Sequence, residues 1–261
     1  MMEYFVVCLV ALIASGLTFF SGFGLGTILM PALAIFFPVP IAVGATAIVH
    51  LANNLFKLFL IGRSANRSIV FRFGIPAVIA ALLGASLLTY VSSVPIIASY
   101  QLAGRVHEIT IVKLVIGSLI VFFSCLELMP AFAKVSIDRK YMALGGMLSG
   151  FFGGLSGNQG AFRAMFLTKA GLNKEEFIGT NVVVGVMVDV GRLVVYGIGL
   201  YSAHWTVSTG IGGLVFAATI SAFVGAFLGK EILKKVTLRA VQIAVGTMLI
   251  FLGIALSIGL V

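Results

Sequence analysis

Apolar runs separated by short polar or glycine-rich punctuation fill almost the whole chain, in a series of five that is then repeated. The first series covers roughly residues 4–20, 24–37, 41–61, 71–91 and 109–130. A polar stretch with Lys134, Asp138, Arg139 and Lys140 follows, and the second series covers roughly 141–155, 158–170, 176–199, 207–229 and 237–260. Runs this long and this uniformly apolar are expected as helices, most of them membrane spans, since about 20 residues of helix cross a hydrocarbon core. The second run of each series is the exception. It is short, about 13–14 residues against the roughly 17 that a span needs. It also follows directly on a glycine-rich break: Ser21-Gly22-Phe23-Gly24-Leu25-Gly26-Thr27 in one half, Ser156-Gly157-Asn158-Gln159-Gly160-Ala161-Phe162-Arg163 in the other.

Sliding residues 21–62 onto 156–197 without a gap gives seven identities in 42 positions, among them Ser21 on Ser156, Gly22 on Gly157 and Gly44 on Gly179. In so apolar a composition the polar pairings carry more weight. Thr46 falls on Asn181, Asn54 on Asp189 and Lys57 on Arg192. We read a tandem duplication, with an N-terminal repeat at 1–130, a cytoplasmic linker at 131–140 and a C-terminal repeat at 141–261. Loop charges then invert between the repeats. The loop after the third run carries Arg63, Arg67 and Arg72 in the first half, but no Lys or Arg, only His204, in the second. The loop after the fourth run is nearly neutral in the first half (Arg105 against Glu108) and carries Lys230, Lys234, Lys235 and Arg239 in the second. Basic loops stay cytoplasmic, so the halves are expected to run in opposite orientation. The expected fold is an all-α polytopic membrane protein of about 8–10 membrane segments in two inverted-topology repeats, each with a glycine-broken helical hairpin.

Composition agrees. Of 261 residues, 61% are hydrophobic and 10% charged, against about 45–50% and 25% in soluble domains, which leaves no room for a soluble domain. The formal charge of +9 would point to nucleic acid in a soluble chain. Here the basic residues sit mostly in short loops where they set orientation, so no nucleic-acid partner is expected. Cys8 and Cys125 lie within apolar runs without CxxC or Cys/His spacing and read as lipid-facing or packing residues. Met1 to Phe20 has Glu3 and no basic n-region, and reads as the first membrane segment, not a cleaved signal.

Backbone broken inside a bilayer leaves N–H and C=O groups unsatisfied, and survives only within protein or against a wet cavity. A helix restarting after the break aims open N–H groups and a positive dipole end at that cavity. Short, glycine-interrupted segments at corresponding places in inverted halves point to a transporter's binding site. The candidate substrate-binding residues are therefore Gly22, Gly24, Gly26 and Thr27 from the first break, and Ser156, Gly157, Asn158, Gln159, Gly160 and Arg163 from the second. Close helix packing is the other reading of such glycines, and is the one adopted for Gly44, Gly117, Gly225 and Gly246. Arg163 lies one turn beyond the break. A cation at depth costs about 2.5–3.5 kcal/mol on insertion scales, so it either faces a partner or aqueous path, or snorkels to the cytoplasmic interface. A fixed cation near a helix N-terminus suits an anionic ligand.

Asp189 and Arg192, three apart on one helical face, are expected as an internal ion pair, with proton coupling as the other role open to Asp189. The corresponding face of the first half offers Asn53, Asn54 and Lys57, with His50 a turn earlier. His50 reads either as lining the path and titrating near neutral pH or as hydrogen-bonded packing. With Thr46 and Asn181 these residues form the candidate gating or coupling set. His107, His204 and Glu127 read as interface residues and Trp205 as an interfacial anchor. No HExxH, GxSxG or phosphate-binding loop is present, and no His/Cys cluster. Catalysis, a cofactor and a bound metal are not expected.

The residues around the breaks carry a resemblance. Ser21-Gly22-Phe23-Gly24-Leu25-Gly26 with Pro31 and Gly44-Ala45-Thr46, then Ser156-Gly157-Asn158-Gln159-Gly160 with Gly179-Thr180-Asn181, resemble the TauE/SafE family of sulfite-exporter-like anion permeases, across essentially the whole chain. The resemblance implies transport of sulfur-containing or carboxylate oxyanions, such as sulfite, sulfonates or sulfoacetate, usually outward across the plasma membrane, and a bacterial cell as the setting. It also implies that Gly22, Gly24, Ser156, Gly157, Asn158 and Gln159 line the translocation site. The commoner family pattern has more glycines after the second break and a proline in the short helix. Here Asn158, Gln159 and Phe166 occupy that region and Arg163 is added, as expected of a subgroup with a different oxyanion. The expectation is a secondary transporter working by alternating access, its partners a small anion and the lipid bilayer, with homo-oligomerisation left open. Two other readings stay open: a cation carrier or channel using Asp189, and a non-transporting membrane subunit that packs a partner.

Overall fold

A computed structural model of the chain describes residues 1–21, 25–102, 104–129, 137–168, 170–202, 211–232 and 238–261. The first half supplies α1 (Met2–Ser21), α2 (Leu25–Ala34), α3 (Val39–Ile61), α4 (Arg67–Ser92) and α5 (Ile111–Leu128). The second supplies α6 (Met142–Ser156), α7 (Gly160–Thr168), α8 (Lys174–Ser202), α9 (Ile211–Ile232) and α10 (Leu238–Ser257). Each apolar run has become one helix. Among the described residues α3, α4, α5, α8 and α9 are long and apolar enough to cross a membrane. The glycine-led helices α2 and α7 are 10 and 9 residues long, too short to do so.

Local chemistry sets the helix ends. Pro38-Val39-Pro40 opens α3, because proline's fixed φ suits a first turn whose N–H groups have no helical partner. At the start of α8 Glu176 N–H donates to Asn173 Oδ1 at 2.9 Å and Asn173 N–H donates to Glu176 Oε2 at 3.1 Å. This reciprocal capping satisfies two donors that the helix itself leaves open. At the start of α5 the Thr110 hydroxyl accepts from Lys113 N–H at 3.2 Å. One turn of α4, Val70–Gly74, is π-helical.

The long helices pack in pairs drawn from opposite halves: α6 on α4, α1 on α9, α5 on α10 and α3 on α8. Glycine sets the closest approaches. Gly146, Gly150 and Gly154 recur every four residues and form one stripe on α6. A Cβ on each would run into the carbonyls of Phe73, Ala77 and Ala81 in turn, a stripe of the same spacing on α4. Gly225 of α9 meets the Leu12 carbonyl of α1 likewise, Gly117 of α5 meets Gly253 of α10, and Gly246 takes the Leu128 side chain. In lipid no hydrophobic force drives helices together, so backbone contact of this kind carries the association. Gly150→Ala is expected to cost about 1–3 kcal/mol by overpacking and to lower the melting temperature in detergent. Gly197→Ala, where a Cβ meets nothing within 4 Å, leaves that temperature unchanged.

One connection departs from the helical expectation. The loop between α4 and α5 holds a hairpin, β1 (Ala98–Leu102) antiparallel to β2 (Arg105–Ile109), with Ala98 opposite Ile109. It holds the end of the chain: Tyr100 donates from its hydroxyl to the Ile258 carbonyl at 2.8 Å, and His107 Nδ1 donates to that of Gly259 at 3.2 Å. His107 thus sits in a clasp on the C-terminal residues, stacked on Tyr100.

Candidate functional site

The start of α2 meets the break between α6 and α7. Residues 22–24, and with them the candidates Gly22 and Gly24, lie outside the described residues. Gly26 and Thr27 belong to the first turn of α2 and are buried. A Cβ at Gly26 would come within 3.1 Å of the Gly157 carbonyl oxygen and 3.9 Å of His50 Cδ2, so α2 begins in close packing against the second break.

In the second break α6 stops at Gly157, whose φ of +83° is left-handed and costs a residue with a side chain about 1–2 kcal/mol. The Gln159 carbonyl accepts the first helical bond of α7, from Arg163 N–H at 3.3 Å, and also accepts from the Ser149 hydroxyl at 2.7 Å. Ahead of it, the N–H groups of Gly160, Ala161 and Phe162 have no acceptor among the described residues. Three aromatic rings brace the far side. Phe152 of α6 and Phe162 of α7 stack at 5.5 Å, and Phe123 of α5 lies edge-on to both. Ser156 is turned back on its own helix, donating to the Phe152 carbonyl at 3.0 Å. Asn158 is 3% exposed, yet neither its amide oxygen nor its amide nitrogen has a partner. The Thr46 hydroxyl, 1% exposed, is in the same condition.

Beside the breaks lies a buried charged centre on Asp189 of α8. Its Oδ1 accepts from Arg192 Nη2 at 2.7 Å, Arg192 Nε at 3.1 Å and Gln159 Nε2 at 3.1 Å. Its Oδ2 accepts from His50 Nδ1 at 2.6 Å and Asn54 Nδ2 at 3.0 Å. With His50 Nδ1 carrying its proton toward Asp189, Asn54 has no acceptor on that ring nitrogen and is fixed as a second donor to the carboxylate. Arg192 spends its remaining arm on the Gly153 carbonyl at 3.2 Å. Arg163 is turned inward: its Nη1 donates to Gln159 Oε1 at 3.1 Å, and only 2% of the residue is exposed. Gly185 on α8 makes room for it, since a Cβ there would lie 3.3 Å from Arg163 Nη1 and 2.8 Å from Asn54 Nδ2. Lys57 is buried on α3. The buried charged side chains among the described residues are thus three cations, Lys57, Arg163 and Arg192, against one carboxylate, Asp189.

The structure brings Gly26, His50, Asn54, Gly157, Gln159, Arg163, Asp189 and Arg192 together. The ion pair expected between Asp189 and Arg192 is present. Asn53 points elsewhere, accepting from Ser15 of α1 at 3.0 Å. Asn181 is buried one turn before Gly185. Four residues of the centre had no place in the sequence reading: Ser149, Gly153, Gly185 and Tyr196, whose hydroxyl donates to the Gly154 carbonyl. For Gly185 a signal existed, because it aligns with His50 when residues 21–62 are laid on 156–197.

A bundle with several membrane-length helices, two short helices meeting at mid-chain breaks, and a charge cluster sealed inside defines a multi-pass α-helical membrane protein. No curated protein and no solved structure matches the chain. Residues 7–256 match the model of the sulfite exporter TauE/SafE family, nearly the whole chain, and the chain belongs to that family. It is a membrane transport protein of the sulfite-exporter type.

Proposed function

We propose that the protein is a secondary transporter of small oxyanions, of the sulfite or organosulfonate and carboxylate class, working by alternating access as an exporter in a bacterial plasma membrane. The observation that carries this reading is a buried arginine, Arg163, beside a helix start with open N–H groups. A cation and the positive end of a helix at one place both favour an anion, which at the start of α7 also accepts from the backbone. Gly26, Thr27, Ser156, Gly157, Asn158, Gln159, Gly160 and Arg163 form the substrate side of the site, with Gly22 and Gly24 assigned to it from sequence. Thr46, His50, Asn54, Lys57, Asn181, Asp189 and Arg192 join the two halves and move with them, while Asn53 braces α3 on α1. The membrane potential, worth about 2.3 kcal/mol per charge per 100 mV, drives an anion outward.

Two inverted repeats suit this reading. Under the repeat offset (156 − 21 = 135) Asn54 corresponds to Asp189 (54 + 135 = 189), and these two residues touch. His50 touches Asp189, and the corresponding pair, Gly185 and Asn54, is also in contact. The pairing of α1 with α9 corresponds to that of α6 with α4, while α3–α8 and α5–α10 map onto themselves. Such correspondence is what a two-fold axis between α3 and α8 produces. A cation carrier built on Asp189 fits less well, because five donated hydrogen bonds already fill both carboxylate oxygens.

The test is thermal stabilisation of the purified protein by sulfite, sulfate, thiosulfate, sulfoacetate, taurine and acetate, for wild type and Arg163→Gln. One group of anions is expected to raise the melting temperature, with affinity at least about tenfold weaker in the variant, the loss of one charge-assisted hydrogen bond. Equal responses in the two proteins, or stabilisation by cations alone, would overturn the reading.

A further inference from the structure

Asn158 stands two residues ahead of α7, beside three N–H groups that have no acceptor, yet it caps none of them. Gln159, not Asn158, holds the N-cap position, so the Asn158 amide is almost fully buried with neither a capping bond nor any other partner, and a buried amide of this kind calls for an occupant. Both ends of the amide are open. The conclusion therefore holds whichever way the amide is turned, an assignment that often depends on the hydrogen-bond network itself. A bare oxyanion answers only half of the need. It accepts from Nδ2 and from the backbone of α7, but it sets its own lone pairs against Oδ1 and leaves that acceptor buried and unmatched.

Resting on the oxyanion reading above, we infer that the ligand carries a hydrogen-bond donor of its own beside its anionic oxygens, and that Asn158 reads it. The substrate class narrows to oxyanions that bear a hydroxyl or amino group, or that retain one acidic proton. Asn158 Nδ2 donates to an anionic oxygen and Oδ1 accepts from the ligand's O–H or N–H. The Thr46 hydroxyl, which both donates and accepts, is a second group able to meet either kind of atom, four residues before His50 on α3. Sites built to hydrogen-bond a ligand's donor reject the analogue that lacks it far more strongly than apolar sites reject a change of size.

The experiment compares 2-hydroxyethanesulfonate with ethanesulfonate, of similar shape and equal charge, by calorimetric titration of the full-length protein in detergent. Wild type is expected to bind the hydroxylated anion about 10- to 100-fold more tightly. In Asn158→Leu both bind more weakly and the ratio falls to about one. Asn158→Ala repeats the measurement with a smaller side chain, and melting without ligand confirms that each variant is folded. If the two anions bind wild type equally while Arg163→Gln weakens both, this inference falls and the oxyanion reading stands. If the preference survives in both Asn158 variants, the donor is read elsewhere and the assignment to Asn158 is wrong. If neither anion nor any other oxyanion binds wild type, the two readings fall together.

Discussion

Asp189→Asn is expected to destabilise the protein more than any other single change among its charged residues, by about 3–5 kcal/mol. The carboxylate gathers donors from two helices and from the second break: His50 and Asn54 of α3, Arg192 of α8 and Gln159. Asparagine occupies the same space but presents an NH₂ group where an acceptor was. One cluster of donors then faces a donor, and the Arg192 charge is left in the interior without its counter-ion. Chemical unfolding in detergent reads the loss directly. A double variant, Asp189→Leu with Arg192→Met, removes both charges and is expected to recover part of the stability, because an absent pair costs less than a broken one. An Asp189→Asn protein as stable as wild type would show that the carboxylate is not the keystone of the buried cluster.

Gln159→Glu is expected to reduce oxyanion affinity at least about 100-fold. In the structure Gln159 stands between the charges, donating from Nε2 to Asp189 and accepting at Oε1 from Arg163 Nη1. It holds the guanidinium in place without neutralising it. A glutamate in that place puts a second negative charge about 3 Å from Arg163, an attraction of about 4 kcal/mol at 4 Å and an effective dielectric of 20. A bound anion then meets a carboxylate beside its cation. The sign of the pH dependence follows: lowering the pH protonates the new side chain and restores binding, whereas wild type shows no such recovery. Gln159→Met, neutral and similar in length, separates loss of the bridge from gain of charge. Titration calorimetry on the three proteins makes the comparison, and glutamate and methionine variants of equal affinity would show that charge at 159 is not what matters.

The order of helices was legible because each run is long and apolar, and the breaks stood out because Gly157 and Asn158 interrupt such runs. Lone polar residues inside spans, His50, Asn54, Arg163, Asp189 and Arg192, could be picked out for the same reason: each is expensive in lipid and so needs a partner. The partners themselves were not legible. Nothing in the spacing of Gln159 shows that it lies between Arg163 and Asp189, because that depends on how α7 docks on α8. Ser149 and Tyr196 looked like ordinary residues of apolar helices until their hydroxyls were seen to meet the carbonyls of Gln159 and Gly154. The β-hairpin escaped because its strands are five residues each and largely exposed on both faces, which erases the alternation that marks a half-buried strand. Its register and its hold on Ile258 are tertiary.

Pairing helices across the halves also has a consequence in time. His50 and Asp189 are 139 residues apart, and a ribosome adds about 5–20 residues per second, so the histidine precedes its carboxylate by roughly 7–28 s. During that interval α3 has emerged with His50, Asn54 and Lys57, and none of the donors held by Asp189 has anything to hold. The partner of α1, namely α9, does not yet exist either, and α6, the partner of α4, follows only after the polar stretch between the halves. The first half cannot complete itself while it waits. Whatever shelters nascent spans from lipid is left holding α3 until α8 arrives, and a ribosome stalled between residues 61 and 174 leaves behind an apolar helix whose His50 and Asn54 lack their carboxylate.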